Sequence, residues 1–127
     1  MTMVVGLGVD LVETARVKRL LERYRERFIH RLMDPEEARH LPADGPERVD
    51  ALALAIAGKE AASKALGTGW SRGVRWRDVI VTRVPEPAVQ LRGRAAEVAR
   101  ERGSEGRSHT QLATVGSLAI GEVWLLR

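Results

Sequence analysis

The chain has 127 residues, 44% apolar and 30% charged, which suits one globular domain over 1–127, or one subunit of an oligomer, and excludes a disordered or membrane-spanning chain. There is no cysteine, so disulfides and thiolate metal sites are excluded. The net charge of +4 directs attention to an anionic partner or substrate. Ala51 to Ala57, the longest apolar run, is too short to cross a bilayer, and the start of the chain lacks a secretion-signal pattern, so a cytoplasmic location is expected.

Residues 3–11 read as a strand in which Met3, Val5, Leu7 and Val9 alternate with Val4, Gly6, Gly8 and Asp10. One face is continuously apolar. The other is bare backbone leading up to a carboxylate, with room for a ligand or another chain. Asp10 reads either as a helix cap at a strand end or as a ligand-binding carboxylate. GLGVDL lacks the third glycine of a dinucleotide loop.

Residues 12–33 read as helix in two pieces, with Arg16, Lys18, Arg19, Arg23, Arg25, Arg27 and Arg31 making one surface strongly basic. Such a run is either a solvated face or a docking surface for an acidic partner. Asp34-Pro35-Glu36-Glu37 has the form of a cap, a proline at the first helical position and acids in the first turn, opening a short helix to about His40. Leu41 to Pro46 reads as loop.

The stretch Ala51 to Gly69 reads as the central helix, an alanine-rich run ending in Gly67-Thr68-Gly69. Leu52, Ile56, Glu60 and Lys64 follow at i, i+4 spacing and share one stripe. The stripe carries Glu60 to the edge of a core, where a carboxylate needs a cation. Lys64 or a metal supplies that charge. Only three of the 21 basic residues are lysines, and two of them, Lys59 and Lys64, flank Glu60. Lysine is a compact phosphate ligand.

Trp70 to Arg77 reads as loop with a turn at Arg72-Gly73, Asp78 to Val84 as a strand broken by Pro85 and Pro87, and Ala88 to Leu91 as a short strand. Gly93 to Arg102 reads as a helix stopped by Gly103. Ser108 to Val115 and Leu118 to Leu126 read as strands joined at Gly116-Ser117, a hairpin signal. The order β-α-α-α-β-β-α-β-β gives an α+β fold with a mostly antiparallel sheet packed on the long central helix.

With these segments placed, the chain resembles the holo-acyl-carrier-protein synthases, the small bacterial 4'-phosphopantetheinyl transferases. GLGVDLVETARV at 6–17 is similar to their opening motif of a glycine pair, an aspartate and a later arginine. GKEAASKALGTG at 58–69 is similar to their second motif, and RFIHRLMDPEEAR at 27–39 and Trp76-Arg77-Asp78-Val79 fit the segments around it. The resemblance implies transfer of the phosphopantetheine arm of coenzyme A to a serine of apo acyl carrier protein, releasing adenosine 3',5'-bisphosphate in fatty acid biosynthesis. It implies Mg²⁺ held by Asp10 and Glu60, the catalytic carboxylates, with Lys59 and Lys64 near the phosphates and Gly67, Thr68 and Gly69 close to the nucleotide. Arg16, Arg19 and Arg23 would face the acidic carrier, and the family's homotrimer would place active sites between subunits.

Two departures stand out. Where the family has an arginine and an aromatic before the Ala-Ala-Lys-Glu run, this chain has Ala55 and Ile56. The family's C-terminal histidine falls on Thr114 in the gap-free register, which leaves His109 at the start of the strand and facing the other side. The alternative from another class, a small basic nucleic-acid-binding protein, meets a shortage of aromatics in the basic segment, where only Tyr24 and Phe28 fall.

Overall fold

A computed structural model describes residues 2–127. The elements in chain order are β1 (Val4–Glu13), α1 (Thr14–Tyr24), α2 (Glu26–Leu32), α3 (Pro35–Ala38), α4 (Gly45–Leu66), a 3₁₀ turn (Trp76–Asp78), β2 (Val79–Thr82), β3 (Ala88–Leu91), α5 (Gly93–Glu101), β4 (Ser108–Val115) and β5 (Leu118–Leu126). The strands β1, β5 and β4 form an antiparallel sheet in that order, while β2 and β3 make a separate hairpin. The α+β expectation of a mostly antiparallel sheet on one long helix is what the structure shows.

α4 is the axis of the molecule. Its alanines favour helix, Pro46 suits the first turn, and Gly67 ends it with φ +79, its N–H donating to the Lys64 carbonyl at 2.9 Å. Pro46 therefore opens the helix instead of closing the preceding loop. Apolar side chains on all sides of α4 are buried, Leu52, Ala53, Ala57, Ala61 and Ala62 completely. The helix is thus wrapped by the rest of the chain, which is why it shows no amphipathic stripe.

The glycines of β1 have a packing role. A Cβ at Gly8 would lie 1.9 Å from the Ala61 carbonyl oxygen, so α4 occupies the bare backbone face that the sequence leaves open for a ligand or another chain. From β5, Gly121 allows the same approach to Ala57, at 2.6 Å. The apolar face of β1 consequently points outward. Leu7 is 55% exposed and Leu11 59%, and Val9, Trp124 and Val115 are exposed on the same sheet.

Local expectations hold with small shifts. The basic helical run breaks at Arg25, φ +53, into α1 and α2. The N–H of Glu37 donates to the Asp34 side chain at 2.9 Å, capping α3. β1 continues to Glu13 because its last residues pair with the start of β5, Glu13 opposite Leu118. The strand expected over 78–84 is shorter, since the 3₁₀ turn takes Asp78.

Candidate active site

β1 delivers Asp10 beside the second half of α4, and the turn into α1 brings Arg16 alongside. The result is a cleft of about 410 Å³ whose polar lining includes Asp10, Glu13, Arg16 and Glu60. Its apolar wall includes Phe28, Ile56 and Trp76. The stripe on α4 behaves as its spacing requires: Leu52 is sealed in the core, Ile56 nearly so, Glu60 sits at the edge and Lys64 outside.

Lys64 does not pair with Glu60 one turn away. Its ammonium donates to Asp10 Oδ1 at 2.8 Å and to the Val9 carbonyl at 3.1 Å, tying α4 to β1. Burial pushes the Glu60 carboxyl above its ordinary value, and the neighbouring Asp10 charge adds to this. The Trp70 indole N–H, Lys64 and Arg16 pull it back down. That indole N–H is buried and has no acceptor at full hydrogen-bond geometry. Trp70 stacks on Trp76 with ring centres 4.0 Å apart, so two indoles back the carboxylate.

Among the described residues no three His, Asp or Glu side chains cluster as metal ligands. Asp10 and Glu60 are two carboxylates of one cleft, and Glu60 is half-buried. That donor set fits a hard divalent ion that takes its remaining ligands from phosphate and water.

Lys59 is a correction. The spacing and the resemblance place it near phosphates, but its side chain is fully buried. The ammonium donates to Glu37 Oε1 at 2.8 Å, to the Trp76 carbonyl at 3.0 Å and to the Val79 carbonyl. Burial lowers the Lys59 pKa and raises that of Glu37, each opposed by the partner's charge. All three ammonium donors are used inside the protein, so none faces the cleft.

Gly67, Thr68 and Gly69 lie at the C-terminal end of α4 outside the cleft lining, and a Cβ at Gly69 would meet nothing within 4 Å. Arg16, Arg19 and Arg23 are exposed along α1, only Arg16 reaching the cleft. A second groove of about 460 Å³ adjoins it, lined by Leu20, Tyr24, Arg27, Phe28 and Arg31. His109 is exposed at the start of β4, edge-on to Trp124 at 5.8 Å, and Thr114 pairs with Ala119 far along the same strand. The two residues thus lie five positions apart on one strand, β4. Sequence reasoning missed Glu37 and the Trp70–Trp76 stack; the acids capping α3 were visible, but nothing local tied them to Lys59.

The 4'-phosphopantetheinyl transferase superfamily profile matches residues 6–115. A holo-[acyl-carrier-protein] synthase of Maridesulfovibrio salexigens is 42% identical over 106 residues, 82% of this chain and 84% of that one. One from Koribacter versatilis is 36% identical over 97% of this chain and 98% of its own. Among solved structures, the Neisseria meningitidis synthase has a TM-score of 0.81 at 28% identity, covering 97% of this chain and 98% of that one. The Bacillus anthracis synthase, crystallised in complex with CoA (3',5'-ADP), has a TM-score of 0.76 at 26% identity over 98% and 97%. This chain belongs to the 4'-phosphopantetheinyl transferase superfamily and, within it, to the holo-acyl-carrier-protein synthases.

Proposed function

We propose that this protein transfers the 4'-phosphopantetheine arm of coenzyme A to a serine hydroxyl of an apo acyl carrier protein, releasing adenosine 3',5'-bisphosphate, in a Mg²⁺-dependent step of cytoplasmic fatty acid biosynthesis. The observation that carries this reading is the convergence of Asp10 and Glu60, from a strand and a helix, in one cleft with Arg16.

Asp10 and Glu60 would hold Mg²⁺, which supplies Lewis-acid polarisation of the pyrophosphate and neutralises its charge. In the reaction the serine oxygen bonds to the phosphorus bearing the pantetheine arm. The bond from that phosphorus to the bridging oxygen breaks, and the electron pair leaves with the nucleotide. Glu60, acting through a water, would take up the serine proton. Lys64, half-exposed, holds Asp10 in position and has one ammonium donor left for a phosphate oxygen. The open backbone at Gly69 leaves room for close approach of the nucleotide.

Arg16, Arg19 and Arg23 recur at i, i+3 and i+7, so they form one basic stripe along α1. It runs from the cleft toward the groove of Tyr24 and Phe28 and suits an acidic carrier protein that also offers apolar contacts. The exposed apolar sheet face around Leu7, Val9 and Leu11 supports a homotrimer, and Leu11 also borders the cleft, so a neighbouring subunit would close the site. Incubation with coenzyme A, Mg²⁺ and apo carrier, followed by mass measurement, should show the carrier heavier by one phosphopantetheine. An unchanged carrier mass overturns the reading.

A further inference from the structure

The loop from Gly67 to Asp78 leaves the C-terminal end of α4 and returns along the helix until its last residues meet Lys59. Its start is fixed by Gly67. Its end is fixed where the Lys59 ammonium takes the carbonyls of Trp76 and Val79 while ion-paired to Glu37. Between these points Trp70 and Trp76 stack, with Trp76 lining the cleft and the Trp70 N–H beside Glu60.

We propose that Lys59, through its bonds to the Trp76 and Val79 carbonyls, is a positioning residue that sets the stacked indole wall of the active-site cleft. The inference rests on the transferase reading only for its kinetic consequence. Lys59 and Glu60 are consecutive on α4, so the side chain that fastens the returning loop immediately precedes the one the loop must meet. Glu37 has its own second bond, from the Val81 N–H at 2.9 Å, which holds the counter-charge on the β2 side of the same junction. Other contacts support the turn: Asp78 pairs with Arg75 at 3.2 Å, and Arg77 donates to the His30 carbonyl at 2.7 Å. Neither of those reaches α4. Lys59 alone among these side chains gives the turn its register on the catalytic helix.

The test compares the full-length protein with Lys59→Met/Glu37→Gln, which removes both charges together and keeps an acceptor for the Val81 N–H. The readouts are cooperative melting, the near-ultraviolet circular dichroism of the coupled indoles, and kcat and KM for coenzyme A. The double variant should melt cooperatively, lose the indole signal, and lose about 10- to 100-fold in kcat/KM. Retention of both the indole signal and kcat/KM overturns the proposal and leaves the pair a support of stability only. Should the double variant not fold, Trp76→Leu decides, since it removes the wall with the ion pair intact. A comparable loss in kcat/KM supports the proposal, and wild-type kcat/KM overturns it. Absence of transfer by the wild type would sink the functional reading, whereas the dichroism comparison would still decide the positioning.

Discussion

Two lysines of α4 each hold a carboxylate at 2.8 Å, and the pairs live in opposite environments. Lys64 and Asp10 are 51% and 19% exposed, whereas Lys59 and Glu37 are 0% and 3% exposed. Distance and chemistry are the same; solvent is not. A water-facing pair costs little to open, so an anion or cation can displace one partner by the other. A sealed pair cannot be opened without leaving a buried charge unmatched. The first therefore belongs to ligand chemistry and the second to construction, although both lysines flank the same glutamate.

The sharpest way to break this comparison is to delete each ammonium in turn. Lys59→Met should cost about 3–5 kcal/mol of unfolding free energy by leaving Glu37 buried and unpaired. Lys64→Met should cost no more than about 1 kcal/mol. Denaturant midpoints read both, and costs that agree within error would dissolve the distinction.

Glu60 gives a smaller effect of opposite sign. Its carboxyl is raised above the ordinary 4.5, chiefly by burial. The folded state then binds more protons than the unfolded state as pH rises from 4.5 through the folded value, so stability falls across that window and stays reduced above it. Metal-free Glu60→Gln should therefore melt higher than wild type at neutral pH, and the gap should close below pH 4.5. A gap independent of pH would show that the gain does not come from the carboxylate.

Charge reversal at Arg19 or Arg23 should weaken carrier binding about tenfold at low salt and flatten its salt dependence, with coenzyme A affinity unchanged. Equal losses for both ligands would place these arginines in a shared site. The smallest effect is expected of His109→Ala. The side chain is exposed on the outer sheet face, so rates across pH 5 to 9 should stay within about twofold of wild type. A fall of two orders of magnitude, or loss of a titration step near pH 6–7, would make it catalytic.

The fold was legible where local chemistry dictates it. Gly116-Ser117 marks the β4–β5 turn to the residue, and Pro85 and Pro87 separate β2 from the short β3. Asp34 and Pro35 announce α3 because a cap is a contact within one turn. Of the site, the i, i+4 stripe placed Glu60 at the core's edge, and the alternation of the first strand put Asp10 on the face that carries the glycines, although the strand runs on to Glu13. What the sequence could not reveal depends on pairings between distant segments. Glu37 lies 22 residues from the lysine it neutralises, so Lys59 looked like a free phosphate ligand. Gly6 and Gly8 looked like ligand space because nothing local shows that α4 fills it. The same contact turned the apolar face of β1 outward. The indole stack likewise needs the loop to double back on α4.

The most direct measurement is the initial rate of phosphopantetheine transfer to apo carrier protein as Mg²⁺ is titrated, for wild type, Asp10→Asn and Glu60→Gln. Each amide is nearly isosteric with its carboxylate but a poor Mg²⁺ ligand. The account predicts a saturable Mg²⁺ dependence for wild type and a flat baseline for both variants, with cooperative melting in all three. A near wild-type rate from either variant at saturating Mg²⁺ would contradict the assignment of this cleft as the active site.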